Sequence, residues 1–172
     1  MLAVQHPEDV GALLLVCTTC RSSPDVKEIL EERIRQARLN GAEAAAHLAT
    51  KVIFSSGFTA ANPARLEEFV RWRAAMDQGA LAEATRAAYD FDIANKLRAI
   101  QVPAQVVYGE FDALTKPQFV KEVAEALPEG TELVGVSGAG HMLPIEQPQA
   151  FEEIVSAFLD QHYSLDSNGA QP

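Results

Sequence analysis

Few side chains in this chain can move a proton near neutral pH, and two that can stand just beyond apolar runs: Asp112 and His141. An imidazole can take a proton from a hydroxyl and hand it to a leaving group. A carboxylate on its other nitrogen fixes the tautomer and stabilises the imidazolium. Taken singly, Asp112 reads equally well as a loop cap and His141 as a turn residue. Asp92 is a rival acid, but it precedes a helix start, where aspartate commonly caps the first turn. The other histidines read as surface or boundary residues: His6 before Pro7, His47 among alanines in a helical stretch, and His162 in a polar tail. Ser55, Ser56 and Ser137 have no strand-turn-helix context and read as turn residues.

The elements that must position the pair lie within residues 102–148. A β-rich run through Val106 and Val107 ends at Gly109, and Asp112 follows. Residues 117–127 carry apolar side chains at Phe119, Val120, Val123, Ala124 and Leu127, the stripe of an amphipathic helix. A second apolar run over 131–136 leads to the turn Gly138, Ala139, Gly140 and to His141. Two strands joined by one crossover helix lie parallel, so their C-terminal ends share one sheet edge. Open parallel sheets bind ligands at that edge. Asp112 and His141, 29 residues apart, are thereby expected to face each other across adjacent loops, and as a pair they read as catalytic.

Around this unit the sequence predicts a helix end at residues 1–6, stopped by Pro7, and a strand at 12–17 whose continuous apolar run would make it a central strand in a complete fold. Helices follow at 25–39, with Gly41 as the stop, at 42–52, at 63–76 and, after Gly79, at 81–89. A further helix through 97–100 returns the chain to the sheet, and 148–159 form the last one. The expected organisation is a partial α/β core over 1–20 and 90–160, a helical insertion over 21–89 and a disordered tail over 161–172. Phe54, Phe58, Phe69, Trp72, Met76 and Met142 are candidates for an apolar substrate wall, with simple packing between helices as the alternative reading.

The runs YGEFDALTKP and GVSGAGHMLPIEQPQAF resemble the acid and histidine segments of α/β-hydrolase-fold enzymes, whose triad occurs in the chain order serine, acid, histidine. The opening, from His6 through Val16, resembles the end of the helix after the nucleophile and the strand that follows it. The helical insertion resembles the family's cap and is most similar to the esterase and 3-oxoadipate enol-lactonase branch. The resemblance covers the chain to about Asp160. It implies about three parallel strands with flanking helices and an all-helical cap, with Asp112 as the acid and His141 as the general base in hydrolysis of a small ester or lactone, without metal or organic cofactor. Relatives that use an aspartate as nucleophile keep dehalogenase and epoxide-hydrolase chemistry open.

The family's G-x-S-x-G elbow does not occur in the 172 residues. The expectation is therefore a C-terminal portion, with the nucleophile upstream and the isolated chain inactive or partner-dependent. A self-associating or interaction protein and a truncated gene product stand as alternatives. In either of the first two cases the run Leu13–Val16 would be an apolar sheet edge that pairs with a second copy or with an N-terminal half.

Composition narrows the classes further. A net charge of −10 and a pI near 4.8 argue against a nucleic-acid surface, which needs clustered basic residues. No apolar run reaches the ~20 residues of a membrane span, and no signal-peptide pattern opens the chain, so a cytoplasmic protein is expected. Cys17 and Cys20 have the spacing of a redox pair or half a zinc site. With no second pair in the sequence they read as small buried hydrophobes.

Overall fold

The computed structural model describes residues 1–163. Its sheet has three strands, β1 (Leu13–Val16), β2 (Ala104–Gly109) and β3 (Glu132–Val136), in the order β1-β2-β3. Both pairings are parallel, with Leu13 opposite Ala104, Val16 opposite Val107 and Gly109 opposite Val136. The three C-terminal ends therefore share one edge, as the crossover geometry requires.

Alternation along β2 explains how the sheet is covered, because successive side chains point to opposite faces. Val106 and Val107 are both fully buried. Val106 packs with Leu97, Ile100, Val120, Val123 and Leu127, under helices α1 (Leu2–Gln5), α6 (Ala94–Leu97) and α7 (Pro117–Ala126). Val107 packs with Cys17, Val136, Ala139 and Leu143, and on the half-buried Phe151 and Ile154 of the last helix. Each of the four residues of β1 is half-buried. β1 is an edge strand among the described residues, and one side of its backbone has no ladder partner there.

The cap leaves the core after β1 and returns before α6. Its two ends are pinned to each other by an antiparallel bridge between Arg21 and Asp92 and by backbone bonds Ser22 N to Phe91 O (3.0 Å) and Ile93 N to Cys20 O (2.9 Å). α2 (Pro24–Ile53) starts at Ser23, whose side chain accepts from Val26 N. The two helices expected on either side of Gly41 form one helical run broken there, where the glycine sits at φ 88°, ψ 169°. A φ of that sign is left-handed and suits only glycine well. α3 (Ser56–Ala61) is a short helix that the sequence reading missed, and α4 (Pro63–Ala74) begins at its proline as predicted. α5 (Gln78–Ala87) starts before the predicted position 81, because Asp77 caps it by accepting from Gly79 N and Ala80 N. That cap offsets the poor helix propensity of Gly79.

α6 likewise spans Ala94–Leu97 rather than 97–100, and Asp92 Oδ1 accepts from Ala94 N at 3.0 Å, the capping role weighed against its being the acid. The chain ends in α8 (Leu143–Glu146) and α9 (Pro148–His162). Residues 161 and 162 are thus helical rather than part of a tail, and 164–172 lie outside the described residues. Among the described residues no helix is long and apolar enough to cross a membrane.

Candidate active site

The loops after β2 and β3 are stitched together before either presents its side chain. Glu110 N donates to Val136 O (3.0 Å) and Phe111 N to Ala139 O (2.8 Å). The Glu110 carboxylate accepts from Ser137 Oγ (2.8 Å) and Gly138 N (3.2 Å). This close approach requires glycine at the end of β2: a Cβ on Gly109 would lie 2.2 Å from Gly140 O and 2.6 Å from Ala139 O.

Asp112 and His141 meet across this junction. Asp112 Oδ2 lies 2.9 Å from His141 Nδ1, and the Asp112 side chain is fully buried while that of His141 is 24% exposed. A buried carboxylate needs donors for its lone pairs. Asp112 Oδ1 accepts from Leu114 N (2.9 Å) and Thr115 N (2.8 Å), and Oδ2 accepts from Thr115 Oγ1 (2.5 Å). Thr115 Oγ1 is also 3.3 Å from His141 Nδ1. Because an ionised carboxylate only accepts, this arrangement places the imidazole proton on Nδ1. Nε2 is left as the base.

The histidine is fixed from the cap side as well. His141 N donates to Ile53 O (2.8 Å), the last residue of α2. Glu146 is buried. Its Oε2 accepts from Ser55 N (2.8 Å) and its Oε1 from Gly140 N (3.0 Å), so one carboxylate joins the cap to the turn that carries the histidine. Neither Thr115 nor Glu146 was identified from sequence. Thr115 lies three residues after the acid, a spacing that signals an Asx-type loop bond. Glu146 reaches an amide 91 residues away, and nothing local reports that.

Phe54, Phe58, Phe69, Trp72 and Met142 line one cleft of about 600 Å³, together with Arg65, Glu68, Pro144, Ile145 and Pro148. Phe54 stacks on Phe58 and meets Phe69 edge-on, while Trp72 is 59% exposed at the rim. The cleft reaches Met142, the neighbour of His141. Met76 is not among the lining residues. α4 ends at Ala74, which carries Met76 into the turn before α5, where it is exposed.

Ser55 and Ser56 sit at a helix start and Ser137 in a turn. Ser55 caps α3, accepting from Phe58 N, Ser56 opens that helix, and Ser137 donates to Glu110. Cys17 and Cys20 are buried free thiols. Cys17 follows β1 with φ 46° and has its sulfur near Asp112 and His141, with the donor atoms of the three within 4.8 Å of one another. Burial, reinforced by the Asp112 charge, pushes its thiol up to about 12. A protonated thiol is a poor nucleophile.

Residues 81–169 match the α/β-hydrolase family described as "TAP-like protein". The chain belongs to the α/β-hydrolase family. RutD of Caulobacter sp. (strain K31), whose name points to carbamate hydrolysis, is 28% identical over 160 residues, 92% of this chain and 59% of that protein. The crystal structure of the enol-lactonase from Burkholderia xenovorans LB400 superposes with a TM-score of 0.81 at 27% identity, over 92% of this chain and 59% of that one. MGS-M2, an α/β hydrolase from a Medee basin deep-sea metagenome library, has a TM-score of 0.84 at 24% identity over 91% of this chain and 58% of its own. This α/β-hydrolase chain therefore spans about three fifths of the length of RutD and of these solved structures.

Proposed function

We propose that this chain carries the acid and the general base of a hydrolase acting on a small carboxylic ester or lactone. The observation that carries the reading is the 2.9 Å contact between a buried Asp112 and a partly open His141 at the shared edge of parallel strands. In this reading His141 Nε2 takes the proton of an attacking hydroxyl, first of a nucleophile and then of water, and returns it to the leaving oxygen. Asp112 holds the ring and offsets the charge of the imidazolium. The aromatic cleft from Phe54 to Trp72 would take the apolar portion of the substrate.

No G-x-S-x-G elbow occurs among the 172 residues, so the proposal assigns the nucleophile to a segment or chain beyond them. Triad members act as a unit, and the 172-residue chain alone is accordingly expected to hydrolyse neither p-nitrophenyl acetate nor a simple lactone. Intact mass after treatment with a fluorophosphonate probe tests this. No adduct is expected. A single adduct lost in His141→Ala would place the nucleophile inside the chain and overturn that assignment.

A second reading concerns association. The outer edge of β1 is apolar and unpaired among the described residues, and such edges are templates for strand addition. The proposal is that it pairs with a strand of a second copy or of the nucleophile-bearing segment. Slow amide exchange across Leu13–Val16 in a chain that sediments as a monomer would count against it.

A further inference from the structure

The basic residues of this acidic chain are not evenly spread. Four of the 14 arginines and lysines, Arg33, Arg38, Arg73 and Arg86, line one cavity of about 290 Å³ between α2, α4 and α5 of the cap. The cavity shares no lining residue with the aromatic cleft beside His141. Glu83 is the one carboxylate on its wall, and it is exposed. Among the described residues no ion pair reaches any of the four arginines.

Arg33 and Arg73 are half-buried on the wall of this one cavity. Burial, followed by the Arg73 charge, lowers the Arg33 guanidinium to about 10, and burial lowers Arg73 as well. Two like charges withdrawn from water beside each other are costly unless an opposite charge joins them. A guanidinium has five donors. Arg33 spends one on Thr85 Oγ1 at 2.6 Å, and that hydroxyl is itself fixed by donating to Leu81 O at 2.7 Å.

We propose that this cavity is a binding site for a small oxyanion, a phosphate or carboxylate group held between Arg33 and Arg73 with Arg38 and Arg86 at its mouth. Planar guanidinium forks bind such groups bidentately. The volume lies near the lower end of small-ligand pockets. Because the arginines come from three helices, the anion would also tie α2, α4 and α5 together. The site stands independently of whether the chain is a hydrolase.

The test is thermal unfolding of the full 172-residue chain at matched ionic strength, in chloride, in inorganic phosphate and in succinate, with calorimetric titration of each anion. At least one of the two is expected to raise Tm in proportion to the logarithm of its concentration, and which one does so separates phosphate from carboxylate. Arg33→Gln and Arg73→Gln should weaken that binding at least tenfold, and should not lower Tm in chloride because they relieve repulsion. Arg71→Gln, exposed on α4 and outside the cavity, should bind as the parent does. Should a glutamine variant fail to fold, Arg73→Lys keeps the charge but loses the fork, and a several-fold weakening is expected of it. The proposal is overturned if neither anion binds the parent chain, or if binding survives in the Arg33→Gln, Arg73→Gln double variant.

Discussion

The sheet edge and the cap solve the burial of charge in opposite ways. At the edge, Asp112 is wholly enclosed and has a donor for each oxygen, supplied within three residues of its own loop and by His141. In the cap, Arg33 and Arg73 are withdrawn from water, and among the described residues a threonine hydroxyl is the one hydrogen-bond partner of their two guanidinium groups. The first arrangement is complete before any ligand arrives and has the character of preorganised chemistry. The second is incomplete on its own, and its stability depends on what fills it. A buried charge thus argues for function in two different ways, by the perfection of its surroundings or by their deficit.

Substitutions at the two regions sharpen that contrast. Under the proposed function, the largest effect is expected from Asp112→Asn, measured in the chain joined to a nucleophile-bearing segment. The amide would offer its own hydrogens toward Nδ1 and favour the wrong tautomer, so kcat should fall by about 10⁴ with little change in fold, as read from steady-state rates beside a circular-dichroism spectrum. Gly109→Ala comes next. Its Cβ would sit 2.2 Å from a backbone oxygen, and a loss above about 4 kcal/mol, or failure to fold, is expected in urea unfolding.

Glu146→Ala removes the joint between the two regions. Each of the amides left bare, on Ser55 and Gly140, should cost about 1–3 kcal/mol, with faster amide exchange at both as the specific readout. Gly41→Ala breaks the cap more mildly, since nothing lies within 4 Å of the added carbon and only the positive φ opposes it. About 1–2 kcal/mol is expected from thermal melts.

The smallest effect should come from the exposed pair Lys116–Asp25, at 2.7 Å, which links the acid loop to the first turn of α2. The Lys116 hydrogen bond and charge lower the Asp25 carboxyl. A depressed carboxylate stabilises the fold above its ordinary range, and that contribution is lost as pH falls through the lowered value. Lys116→Ala should therefore leave Tm near its parent value at pH 7, and slightly flatten the acid limb of the Tm profile.

What could be read from the sequence was what local chemistry and topology control. The approach of Asp112 to His141 was legible because a strand-helix-strand unit brings parallel ends together, whatever the packing. Gly41 and Pro63 marked their helix boundaries by backbone conformation alone. The misses have equally physical causes. α3 spans six residues, too few for periodicity to register, and its start depends on Ser55, a residue read only as a turn. Met76 was assigned to the apolar wall by extending α4 two residues too far. Glu146 acts on an amide 91 positions away, and the meeting of Arg33 and Arg73 on one cavity wall depends on how three cap helices pack. Their spacing along the chain contains neither fact.

The Ile53–Ser55 segment has a mechanical consequence. Its carbonyl at Ile53 holds the backbone of His141, and its amide at Ser55 holds Glu146. That makes it a fulcrum: a swing of the cap has to turn about this point or tear it loose. Rotation about it would leave His141 in place, while lifting the cap there would carry the histidine away. Opening of the cleft and displacement of His141 are therefore separable movements as long as this point holds, and the break at Gly41 is a second place where the long helix can bend without disturbing the histidine.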